Sequence, residues 1–146
     1  MITKNSIDSD TEQIGGLIEA RVKAIREKDV EALLSAYAPD VVIFNLAPPL
    51  QTKGPDSEGI KKWLSGYQGE INYEVCDLNI ATGVDVAFCH YLYRSSGRAL
   101  DGREIDMWVR ATLCFRKIGV QWLITHEHNS EPFDMQTLKA LLDLKP

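Results

Sequence analysis

Residues 103–130, REIDMWVRATLCFRKIGVQWLITHEHNS, decide the fold class. Two runs rich in β-branched and aromatic residues, about 103–116 and 121–130, flank Ile118-Gly119, and the pattern reads as two antiparallel strands joined by a tight turn. Upstream, further strand-like runs lie at about 84–94 and 70–80. Their breaks are Ser95-Ser96-Gly97 with Asp101-Gly102, and Thr82-Gly83. Four strands with short connections form an antiparallel meander. A fifth, over 41–46, begins Val41-Val42-Ile43-Phe44 and is expected to join the same sheet, followed by a proline-rich loop.

The N-terminal part has a helical period instead. Ser9 or Asp10 caps a first helix whose Ile14, Leu17, Ile18, Val22 and Ile25 share one face. Asp29 caps a shorter second helix, stopped by Pro39. Asp56 or Ser57 caps a third, with Ile60, Trp63, Leu64 and Tyr67 on one side. Three helices followed by a long-stranded sheet make an α+β domain over 9–134. Residues 1–8 read as a disordered N-terminus, and 135–146 as a tail forming a short helix or an arm.

Composition narrows the function classes. The 146 residues carry a net charge of −5, which speaks against nucleic acid as the main partner, since phosphate binding needs a basic face. No apolar run approaches the ~20 residues of a membrane span, and the first ten residues hold no apolar signal-peptide stretch. Three cysteines, Cys76, Cys89 and Cys114, fit neither a disulfide framework nor a zinc site. A cytoplasmic protein without cofactor or metal is expected.

Period-two alternation then sorts each strand into faces. In 103–116, Asp106, Trp108, Arg110, Thr112 and Cys114 alternate with an apolar set running from Met107 to Phe115. In 121–130, Glu127 and Asn129 alternate with His126, His128 and Ser130. The expected arrangement puts His90, Arg110, Glu127 and Asn129 on the concave side, with Asn45, Trp63, Tyr67, Trp108 and Thr112 around a cavity for a small, mostly apolar molecule. His126, His128 and Ser130 then face outward to a second subunit. The inverted alternative puts those three in the pocket.

The segment from Trp108 to Lys117, followed by Trp122 and by His126-Glu127-His128-Asn-Ser130-Glu-Pro132-Phe133, resembles the SnoaL-like, ketosteroid-isomerase-like proteins of the nuclear transport factor two-like superfamily. Tyr37-Ala-Pro-Asp40 and Gly54 fit as well. The resemblance implies a cone-shaped, cystatin-like fold, with three helices packed on a strongly curved sheet, and a homodimer. Members include steroid isomerases, polyketide cyclases and dehydratases. The steroid isomerases carry a carboxylate base five residues after the aspartate matching Asp40, and here that residue is Asn45, whose amide cannot accept a proton in its place. Their tyrosine donor falls near Arg21, and their protonated aspartate falls at or near Thr112.

Two functional readings follow. In the first, His90 assisted by Glu127 moves a proton. Arg110, with Asn45 or Asn129, stabilises the oxyanion of a small hydrophobic carbonyl compound, giving cofactor-independent isomerisation, cyclisation or dehydration. In the second, the same cavity binds a ligand without turnover, or the domain serves dimerisation through the convex sheet face. A third, weaker option is a metal held by His126 and His128.

Overall fold

The computed structural model describes the backbone of residues 4–146 and side chains from Ser9 onward. Among the described residues three helices are present: α1 (Lys4–Glu27), α2 (Val30–Ser35) and α3 (Ser57–Ser65). The strands are β1 (Tyr37–Phe44), β2 (Thr52–Lys53), β3 (Tyr67–Thr82), β4 (Val86–Ala99), β5 (Glu104–Ile118) and β6 (Gln121–Ser130). One sheet holds all six in the order β2-β1-β6-β5-β4-β3. Only the β1–β6 pairing is parallel, so this is the α+β architecture with a mostly antiparallel sheet. α1 begins at Lys4, ahead of the Ser9–Asp10 cap, so its backbone includes part of the N-terminus expected to be disordered. Residues 1–3 of that segment lie outside the described residues.

The caps follow the sequence chemistry. Asp29 accepts the Ala32 amide at 3.0 Å and Asp56 accepts the Gly59 amide at 2.9 Å, each pairing a donor that the first helical turn leaves free. β1 starts at Tyr37, earlier than expected, and runs through Pro39. The proline is tolerated because β1's register against β6 is interrupted between Tyr37 and Val42, where no ladder bond is required of it. β2 lies inside the proline-rich segment read as loop, and two residue pairs with β1 hold it.

The core forms where α1 lies on the concave face. Ile14, Ile18 and Ile25 pack with Val109, Leu113 and Phe115 and with Cys89 and Tyr91. β3 is an edge strand whose outward carbonyls are met by Arg26 of α1 and by Lys28 just after it. Arg26 donates from Nε and Nη2 to Tyr73 O at 3.0 and 2.6 Å, and Lys28 Nζ donates to Tyr67 O at 2.8 Å. Gly97 on β4 leaves room for the Tyr67 ring, since a Cβ there would lie 2.9 Å from Tyr67 Cδ1. The tail is an arm rather than a helix. Phe133 bridges to Ala140, and Leu142 O accepts the Trp108 amide at 3.0 Å, extending the sheet beyond the end of β6.

Candidate functional site

A cavity of about 460 Å³ opens between α1, α3, the segment after β1, and the inner face of β3–β6. Its walls are mostly apolar or aromatic, including Leu33, Ile43, Ile60, Trp63, Tyr73, Tyr93 and Met107. A depression of about 720 Å³ between α1 and β3 is larger. It is an open groove flanked by Glu19, Lys23, Arg26, Glu27 and Asp77, side chains that water already solvates, so the chemistry is better sought in the smaller cavity.

The polar groups at that cavity converge on Glu127. Its Oε1 accepts from Arg21 Nη2 at 2.6 Å and from the Tyr37 hydroxyl at 2.6 Å, and its Oε2 accepts from Asn129 Nδ2 at 2.8 Å. Arg21 Nη1 also donates to the Tyr37 oxygen at 3.1 Å. Both members of the ion pair are buried, with side-chain exposures of 10% and 6%. Burial works against the charge of Arg21, but Glu127 opposite holds the guanidinium pKa above its ordinary value. The same burial raises the phenol pKa of Tyr37, Tyr73 and Tyr93 and pushes that of Tyr91 up to about 12. These tyrosines are therefore neutral hydrogen-bonding groups at physiological pH. Tyr73 and Tyr93 stack with ring centroids 4.7 Å apart.

Several polar atoms here lack partners among the described residues. Arg21 Nε is buried without an acceptor. Both carboxyl oxygens of Glu131, just past β6, are buried without a donor. Desolvation raises the Glu131 pKa to about 7, opposed by Arg110. A carboxyl in this state is a proton carrier near neutrality, but it is not among the residues that line the cavity.

Of the residues expected at the site, Glu127, Asn129, Asn45 and Trp63 line the cavity. Tyr67 stands behind the wall, its hydroxyl 2.9 Å from the oxygen of the lining residue Ser95. The other four are on the opposite face. His90 pairs with Thr112, which pairs in turn with His128, and Arg110 pairs with Ser130. Since laterally paired residues share a face, His90, Arg110, Thr112 and Trp108 lie on the convex side with His126, His128 and Ser130. Arg110 Nε donates to Ser130 Oγ at 3.0 Å in an exposed setting. The proposed cooperation of His90 and Arg110 with Glu127 is thus excluded by their opposite faces. The inverted alternative fails too, because the histidines share the outer face with Arg110.

The reason is a β-bulge. Phe115 pairs with Ile124 but Cys114 pairs with His126, leaving Thr125 as the extra residue. The bulge moves β6 by one residue between its halves, so that Trp122, Ile124, Glu127 and Asn129 all face inward. In β5 the purely apolar set, Val109, Ala111, Leu113 and Phe115, is the buried one. Helices packed over a sheet cover its most apolar side, and that rule outweighs the presence of Arg and Trp in the alternate set.

Sequence alone places Arg21 only near the position of the family's tyrosine donor. Its signal was its spacing: it continues the apolar series Ile14, Ile18 and Ile25 on α1, and a lone cation in such a stripe has to find a buried anion. The His126 and His128 rings are 6.3 Å apart with Phe44 edge-on to both. His126 Nδ1 lies 2.7 Å from Val42 O, and because a carbonyl only accepts, that nitrogen carries the proton. Among the described residues, no three His, Cys, Asp or Glu side chains are grouped to hold a metal. No helix is long and apolar enough to cross a membrane among those residues.

Comparison with known proteins agrees with this fold. The model of the SnoaL-like domain matches residues 14–134. A nuclear transport factor 2-like protein of unknown function from Pseudomonas putida is 32% identical, with 100% of each chain covered and a TM-score of 0.85. A protein of the same superfamily from Streptomyces avermitilis, provisionally assigned as a dehydratase, is 19% identical over 85% of this chain and 97% of its own, with a TM-score of 0.75. One from Novosphingobium aromaticivorans, provisionally assigned as an aromatic ring hydroxylase, is 18% identical over 92% and 95%, with a TM-score of 0.72. A search of the curated proteins finds no match. A match across most of the chain, together with a full-length relative of the same fold, makes this chain a member of the SnoaL-like family within the nuclear transport factor 2-like superfamily.

Proposed function

We propose that the chain binds a small, largely apolar molecule in the inner cavity and orients it by the Arg21–Tyr37–Glu127–Asn129 cluster. The observation that carries this reading is a buried charged network at a mostly apolar cavity. A buried ion pair is weak as a source of stability, and a few fixed polar groups in an apolar pocket are what ligand recognition uses. Its volume of about 460 Å³ falls within the usual range for small-molecule sites. The three free cysteines suit a reducing cytoplasm. The test is a thermal-shift screen of neutral aromatic and alicyclic compounds, with hits measured by calorimetry. Trp63→Ala should weaken each hit at least roughly tenfold, as expected when a stacking wall is removed, while retaining the fold. Unchanged affinity would place the ligand elsewhere.

Turnover as an isomerase, cyclase or dehydratase is a second reading, favoured by a carboxylate and neutral phenols lining one cavity. It would use Glu127 rather than His90, and product formation from a bound hit would establish it. Pairing with a second copy through the convex face is supported by Phe88, which is 48% exposed there beside the histidines. Light scattering of Phe88→Glu should then report a monomer.

A further inference from the structure

We infer that the ligand is electrically neutral and carries a hydroxyl or N–H that donates to Glu127. This rests on the inner cavity being the binding site. An ionised carboxylate offers about four lone-pair directions. Glu127 Oε1 accepts from Arg21 and Tyr37, whereas Oε2 accepts only from Asn129, so Oε2 has an acceptor position left over. Asn129 spends its amide N–H on that carboxylate. Its own carbonyl oxygen, with no partner among the described residues, becomes a second free acceptor in the same wall. The amide cannot be turned round, since that would set oxygen against carboxylate.

Charge points the same way. The charged side chains lining the cavity are Arg21 and Lys62 against Asp56 and Glu127, two of each sign. The buried cation is already paired with Glu127 at 2.6 Å. An anionic ligand placed beside Oε2 would meet a carboxylate with no spare buried cation, whereas a neutral donor completes its coordination. On the facing walls, Tyr73, Tyr93 and Trp63 offer flat surfaces, and the Tyr73 and Tyr93 hydroxyls have no partner among the described residues, leaving them free for a carbonyl or ether oxygen elsewhere on the ligand. The class this describes is an uncharged aromatic alcohol, phenol or enol.

Three probes of matched shape test it by calorimetry on the intact chain: naphthol, its methyl ether, and naphthoate. Naphthol should bind roughly tenfold or more tighter than the ether, the usual effect of one hydrogen bond to a charged acceptor, and naphthoate should bind more weakly than either. In Glu127→Gln the preference for naphthol over the ether should shrink. Because that variant loses its ion pair with Arg21 and could fail to fold, the three-probe order in the native chain decides by itself. Equal binding of naphthol and ether, or tightest binding of naphthoate, overturns the inference while leaving the cavity as a binding site. Absence of binding by all three, with no neutral hit in the wider screen, removes both.

Discussion

On the inner face of the sheet, Arg21 meets Glu127 at 2.6 Å with both side chains buried. On the outer face, Arg94 meets Asp106 through two bonds of 2.8 Å with the side chains 39% and 53% exposed. The outer pair has the better bidentate geometry, but water screens it and solvates either partner left alone. The inner pair has fewer direct contacts, yet neither charge can return to solvent without opening the core. Contact geometry therefore ranks the two pairs in the reverse of their expected energetic importance, and burial decides.

Breaking the inner pair should give the largest effect. Arg21→Ala leaves Glu127 charged and buried, and urea denaturation should show a loss of about 3–5 kcal/mol. A loss similar to that of an exposed pair would mean that water reaches the inner cluster. Next comes Glu131, whose proton the folded chain holds more tightly than the unfolded one. The stability it contributes is full below the ordinary carboxyl range near 4.5 and is lost as pH rises through about 7. Allowing for solvent screening of this partly exposed residue, the native chain should lose about 1–2 kcal/mol between about pH 5 and pH 8. Glu131→Gln should flatten that slope, and an unchanged slope would assign it to another group. On the outer face, Arg94→Ala should leave the urea midpoint close to that of the native chain, and closer still in high salt. A large, salt-insensitive shift would erase the contrast between faces. Smallest of all, His90→Ala and Arg110→Ala should each stay within about 0.5 kcal/mol of the native chain and leave ligand affinity unchanged. Loss of binding in either would reinstate a role that their position denies them.

Local chemistry was readable from sequence where it stayed local. Asp29 and Asp56 cap the helices that their positions implied, and the turns at Gly83 and Gly119 separate the expected strands. Glu127, Asn129, Asn45 and Trp63 were also assigned to the cavity wall. Facing was harder, because it depends on register, and the bulge at Thr125 shifts register without any glycine or proline to announce it. Alternation with polar side chains turned toward a site points His90 and Arg110 inward, whereas the helices cover the wholly apolar alternates. The partnership of Arg21 with Glu127 spans 106 positions of sequence, and only the anomalous cation in the α1 stripe hinted at it.

Lys28 holds a left-handed backbone at φ 57° just after α1, a conformation that glycine adopts more easily. Its ammonium, with Arg26, covers carbonyls on the free margin of β3. An uncovered margin of this kind is a template on which another chain can zip up in fibre-like stacking. A glycine at position 28 would relax the backbone yet remove one of the two guards. Lys28 thus holds a backbone conformation that costs a side chain some folding free energy, while its ammonium closes off one carbonyl of that margin.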